Sequence, residues 1–189
     1  MKTYTIIGGV NGAGKSSLTG VLKVNMNLSH IIDVDKLAKD NNLSPLEAGK
    51  RAVRLIDEYL QKGISFTQET TLSGSKTLNT VKAARDKGYN VRLFYVGLNT
   101  AEESLKRIAN RVAKGGHNIG MEDVTRRFST RFDSLVKILP FCDEVTLFDN
   151  DNGFVKVAEY RNGEIAPKGT PPLWLAELIE VLKRTDFQE

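Results

Sequence analysis

The residues best suited to chemistry fall in three groups along the chain. The first is Gly9-Val10-Asn11-Gly12-Ala13-Gly14-Lys15-Ser16, which matches G-x-x-x-x-G-K-S/T in full. Glycines let a backbone wrap until its N–H groups converge on phosphate oxygens, and a helix starting behind the loop adds the positive end of its dipole. The spacing predicts a nucleotide-binding set of Gly9, Asn11, Gly12, Ala13, Gly14, Lys15, Ser16 and Ser17. Lys15 is expected to reach the β- and γ-phosphates, and the Ser16 hydroxyl to hold Mg²⁺. The chain carries no Asn-Lys-x-Asp element of the kind that reads guanine, so ATP is the expected nucleotide. Leu72-Ser73-Gly74-Ser75-Lys76 echoes only part of a transporter-ATPase signature and arrives too early for one, which sets that class aside.

The second group is acidic. Ile31-Ile32-Asp33-Val34-Asp35 puts a pair of carboxylates at the tip of a short apolar run. A phosphoryl acceptor needs a base or an orienting acceptor at its hydroxyl, and Asp35 is the candidate, with Asp33 as a substrate contact. The same residues allow a plainer role, with Asp35 capping a helix that starts near Lys36 and Asp33 on an exposed face. Gln68-Glu69-Thr70-Thr71 follows another apolar run. Glu69 is suited to hold Mg²⁺ through water or to grip substrate hydroxyls; Thr70 and Thr71 are suited to bond substrate or to cap the next helix.

The third group is basic: Arg107, Arg111, Lys114, His117, Arg126, Arg127 and Arg131. Arginine stabilises charge on a moving phosphoryl group, an effect worth roughly 10³–10⁵ in rate. Arg107 and Arg111, like Arg127 and Arg131, are spaced to share one helical face, which suits a lid over the nucleotide as well as a solvated basic surface. His117 and Arg131 are candidate substrate contacts.

The elements that must position these groups alternate. Strands are expected at Thr3–Ile7, His30–Val34, Ile64–Gln68, Val91–Val96 and Val145–Phe148. Helices are expected at Lys15–Val24, from Ser44-Pro45-Leu46-Glu47 to about Gln61, over Ser75–Lys87, from Thr100-Ala101-Glu102-Glu103 to about Lys114, and from Glu122 to about Leu139. Phe154–Tyr160 alternates and Asn162-Gly163 turns the chain, a hairpin signal, before Pro171-Pro172 leads into a helix over Leu173–Lys183. This pattern predicts an α/β P-loop NTPase three-layer fold: a mainly parallel five-stranded sheet, a helical lid and a C-terminal hairpin plus helix. Residues 1–189 are expected to form a single domain, with the lid at about 100–138 and the hairpin and terminal helix at about 151–189. Ligands of such sheets sit at the carboxyl ends of the strands, where all three groups fall.

Composition narrows the class. The net charge of +4 lacks the basic runs of a nucleic-acid arm, so a nucleic-acid partner is not expected. Cys142 is the single cysteine and sits among apolar neighbours, which fits a structural thiol and a reducing cytoplasm. No segment approaches the roughly 20 apolar residues of a membrane span, and no secretion leader is apparent, so a soluble cytoplasmic protein is expected.

With these residues laid out, the chain resembles the zeta-toxin family of P-loop kinases. The resemblance rests on Gly9 to Ser16, Asp33-Val34-Asp35, Glu69-Thr70-Thr71-Leu72-Ser73-Gly74, Arg111-Val112-Ala113-Lys114-Gly115-Gly116-His117, Arg126-Arg127-Phe128 and Leu147-Phe148-Asp149-Asn150, over roughly the first 150 residues. It implies transfer of phosphate from ATP to a sugar-nucleotide hydroxyl, such as the 3′-hydroxyl of UDP-N-acetylglucosamine. Asp35 would be the base, Glu69 a substrate contact, and arginines of the later helices, Arg111 and Arg127 first, the phosphate ligands. It also implies a separate antitoxin-type protein partner. Against this small-molecule kinase stands an ATP-dependent switch with slow hydrolysis and a protein or nucleic-acid partner.

Overall fold

A computed structural model describes residues 1–115 and 119–186. Seven strands form one sheet: β1 (Thr3–Gly8), β2 (Ile31–Ile32), β3 (Phe66–Thr70), β4 (Asn90–Val96), β5 (Glu144–Asp149), β6 (Val155–Arg161) and β7 (Glu164–Pro167), in the order β2-β3-β1-β4-β5-β6-β7. The first five are parallel, and the expected hairpin, β6–β7, continues the same sheet antiparallel. Its two-residue turn, Asn162-Gly163, holds both residues at positive φ (52° and 88°), the backbone that Asn-Gly accepts most readily.

The strands bury side chains on both faces, as parallel strands under crossover helices must. On β1 and β4, Tyr4, Ile6, Val91, Leu93 and Tyr95 point into one core, whereas Ile7, Phe94 and Val96 point into a second on the opposite face. The first core is closed by α3 (Pro45–Lys62), α4 (Lys76–Asp86), α7 (Asp133–Ile138) and α8 (Leu173–Asp186). The second is closed by α1 (Lys15–Met26), with Ala101 of α5 (Ala101–Ala113) and Phe128 of α6 (Met121–Ser129). The result is the three-layer P-loop NTPase fold expected from the alternating pattern.

Local signals set several boundaries. Ser44 and Glu47 complete a reciprocal capping box at the start of α3, behind Pro45, and Gly63 ends that helix at φ 66°. Thr100 caps α5 by accepting from the Glu103 N–H. A short helix, α2 (Val34–Asp40), starts two residues earlier than expected, and its cap is Asp33 rather than Asp35: Asp33 Oδ1 accepts from the N–H groups of Asp35 and Lys36.

The single helix expected from Glu122 to Leu139 is three elements: α6, α7 and a 3₁₀ turn over Leu139–Phe141. At the break, the Ser129 and Thr130 hydroxyls both donate to the Arg126 carbonyl, at 2.9 and 3.1 Å. Cys142 is half-buried, and burial pushes its thiol up to about 12, as suits an inert structural cysteine. Among the described residues no helix is long and apolar enough to cross a membrane.

Candidate active site

The carboxyl ends of the parallel strands and the glycine loop enclose a cleft of about 690 Å³. The order of the sheet builds it. Because β3 lies beside β1, Ile7 pairs with Glu69 and Gly8 with Thr70, so the Glu69 carboxyl stands next to the loop that leaves β1. Strand β3 is displaced by two residues from its expected span, which places Glu69 and Thr70 within the strand end rather than beyond it.

The loop supplies Asn11, Gly12, Gly14, Lys15, Ser16 and Ser17 to the cleft wall. Gly9 and Ala13, expected to bind nucleotide, stand behind it. A Cβ on Gly9 would come within 2.5 Å of the Val96 carbonyl oxygen, so only glycine passes there, and Ala13 is fully buried. Lys15 Nζ lies 3.1 Å from the Val10 carbonyl. Burial lowers its pKa to about 8, against the pull of Glu69, Asp35 and Asp33 and with a push from Arg111.

Glu69 is tied to α1 at both oxygens. Ser16 Oγ donates to Oε2 at 2.8 Å and Thr19 Oγ1 to Oε1 at 2.6 Å. Burial raises the Glu69 pKa, and these hydroxyls hold it back. A serine hydroxyl beside a carboxylate is a hard-oxygen pair that suits Mg²⁺, an ion that keeps most of its shell in water and phosphate oxygens.

Asp33, Asp35, Thr70 and Thr71 line the cleft as well, with Gln68, Val34 and Pro45. Asp35 is exposed at the first turn of α2, whereas Asp33 is committed through one oxygen to capping that helix. Thr70 Oγ1 accepts from the Leu72 N–H at 3.0 Å, which supports the turn after β3, and Thr71 meets Ser73 at 2.9 Å. Arg107 and Arg111 of α5 and Arg127 and Asp123 of α6 close the cleft from above. Arg127 reaches the Asn11 side chain at 3.4 Å, and its Nε is buried without a hydrogen-bond partner.

Arg131 does not join them. It is buried between the Phe128 and Phe132 rings, at 4.0 and 4.4 Å from their centroids, and pairs with Glu177 of α8. Its expected substrate contact is therefore corrected: the break after α6 turns this arginine inward, away from the cleft. His117 lies outside the described residues. Thr19 and Asp123 were not anticipated. Thr19 lies one helical turn after Lys15, on the face that the strand order turns toward Glu69, so its signal was helical spacing plus a neighbour that spacing alone does not name.

Known proteins share the family and the fold of this chain. Residues 38–154, more than half of the chain, match the family described as Zeta toxin, a stretch that begins within α2 and ends just before β6. An uncharacterized protein of Haemophilus influenzae is 35% identical over 125 residues, covering 64% of this chain and 88% of its own length. Among solved structures, one from the PezAT chromosomal toxin–antitoxin system of Streptococcus pneumoniae superposes with a TM-score of 0.61 at 19% identity, over 100% of this chain and 86% of the other. The AvrRxo1-ORF1:-ORF2 complex with ATP gives 0.63 at 20% identity, over 96% of this chain and 63% of the other. A putative kinase from Chloroflexus aurantiacus gives 0.53 at 16% identity, over 69% and 77%. These likenesses show a shared fold, and the extent of the family match shows descent: the chain belongs to the Zeta toxin family.

Proposed function

We propose that this protein is an ATP- and Mg²⁺-dependent kinase that phosphorylates a hydroxyl of a sugar nucleotide such as UDP-N-acetylglucosamine. The observation that carries the reading is the convergence, in one cleft, of a phosphate cradle, an exposed carboxylate and a set of arginines. The loop amides and Lys15 would hold the β- and γ-phosphates, and Arg111 and Arg127 would take up charge spreading over the moving group. Ser16 directly, and Glu69 through water, would hold Mg²⁺, which when bound neutralises and bridges phosphate oxygens.

Asp35 lines the same cleft as the loop, is exposed and is free of the capping bonds that occupy Asp33. It would accept the acceptor's hydroxyl proton while that oxygen bonds to the γ-phosphorus and the bond to the bridging oxygen of ADP breaks. Thr70, Thr71 and Asp33 would line the acceptor. Of the segment at about 100–138, helices α5 and α6, which bring Arg107, Arg111 and Arg127 to the cleft, would act as a lid that excludes water once both substrates are bound, while α7 at its far end belongs to the core.

The neighbour from a toxin–antitoxin system and the two-component AvrRxo1 complex support a separate antitoxin-type partner for this chain as well. The decisive experiment is incubation with labelled ATP and a metabolite panel that includes UDP-sugars, read by which compound gains label. D35A should cut acceptor-dependent turnover by about 10²-fold or more while ATP binding persists. ATP turnover that ignores every acceptor, or acceptor labelling untouched by D35A, would refute the proposal or its base.

A further inference from the structure

Two side chains outside the cleft wall grip the outward-facing carbonyls of the glycine loop. Ser104 of α5, fully buried, donates its hydroxyl to the Asn11 carbonyl at 2.5 Å. Asn150, just past the end of β5, donates its Nδ2 to the Ala13 carbonyl at 2.9 Å. A trans peptide is planar, with its C=O and the following N–H on opposite sides, and the described chain has no cis bond. Fixing the Asn11 oxygen outward therefore fixes the Gly12 N–H inward, and fixing the Ala13 oxygen does the same for the Gly14 N–H. Gly12 and Gly14 are cleft-lining residues.

The packing leaves no slack. A Cβ on Gly12 would come within 2.8 Å of the Ser104 carbonyl, and one on Gly14 would overlap the Asn150 amide. Asn150 is itself held. Its carbonyl accepts from Arg107 at 3.0 Å, and the adjacent Asp149 carboxylate accepts from Trp174 Nε1 at 2.8 Å and from the Asp151 N–H at 3.2 Å.

We propose that Asn150, with Ser104, is a positioning residue that aims the loop amides at the nucleotide's phosphates without touching them. The inference rests on the loop binding a triphosphate. It makes the segment after β5 part of the nucleotide site's affinity, because an amide already aimed loses less freedom when the phosphate arrives.

The test is ATP-Mg²⁺ binding by calorimetry on the full chain, for wild type, N150A, N150D and S104A. N150A should raise the ATP Kd about tenfold, the order expected for one lost hydrogen bond that orients others, with KM rising more than kcat falls. N150D keeps the shape but removes the donor at neutral pH, so its Kd should rise at least as much.

Should N150A fail to fold, S104A, which removes one oxygen, reads the same effect at Gly12. An N150A or S104A Kd within twofold of wild type overturns the inference. A wild type giving no heat with ATP-Mg²⁺ instead sinks the triphosphate reading beneath it.

Discussion

Lys15 has a property that its motif does not announce. Burial in the cleft lowers its pKa to about 8, from 10.5 for a free lysine, despite the neighbouring carboxylates Glu69, Asp35 and Asp33. Near pH 8 only part of the population therefore carries the charge that a triphosphate needs. Bound phosphates would restore it, so ATP binding should draw in up to about half a proton at pH 8 and nearly a whole one at pH 9. Titrations in buffers of different ionisation enthalpy measure this directly: the apparent binding enthalpy should vary with the buffer, and K15M should abolish the variation. Identical enthalpies across buffers for the wild type would show that Lys15 is fully charged beforehand. The same shift has a consequence for the free protein. The unfolded chain holds the Lys15 proton up to about pH 10.5 and the folded one only to about 8, so between those values the unfolded state binds more protons and stability rises with pH. K15M should flatten that rise in chemical denaturation.

Elements carry the next level of meaning, and the break after α6 is the instructive case. The apolar positions Val124, Phe128, Leu135 and Leu139 are all buried and fall at helical or near-helical spacing, so periodicity alone reads one helix across Glu122–Leu139. What accompanies its end is invisible to periodicity: Arg131 is drawn between two phenyl rings and pairs with Glu177 of α8. By contrast, the capping box of α3 and the Asn-Gly hairpin were legible, because each needs only residues within four positions of one another. Arg131 is accordingly expected to matter to stability. R131M gives up two cation–π contacts and a charged hydrogen bond, about 1–3 kcal/mol together, which denaturant unfolding would register, while the acceptor KM should stay within about twofold. A large rise in KM with stability intact would return Arg131 to the substrate.

At the scale of the molecule, the sequence showed which residues lie at strand ends but not which strands are neighbours. Asp35, Glu69 and the glycine loop were legible because every parallel strand delivers its carboxyl end to the same edge. Thr19 and Asn150 were not, since their partners, Glu69 and Ala13, are fixed only by the order β3-β1-β4-β5 and by the packing of the segment after β5. The hairpin and α8, which had no functional assignment, turn out to close the core beneath that segment. Trp174 lies flat against Gly97, where any Cβ would overlap its ring, and its indole N–H holds Asp149. Trp174, Leu175, Leu178 and Leu182 are all buried in the core shared by α3, α4 and α7. Four such side chains contribute about 6–12 kcal/mol of burial, as large as the roughly 5–15 kcal/mol by which a whole domain is stable. A chain ending at Thr170 should therefore lose its near-ultraviolet circular dichroism and its cooperative thermal transition, and with them ATP binding. A truncated chain that melted cooperatively and still bound ATP would mean that the five parallel strands and their helices fold without α8, and that Trp174 only tunes the loop it touches.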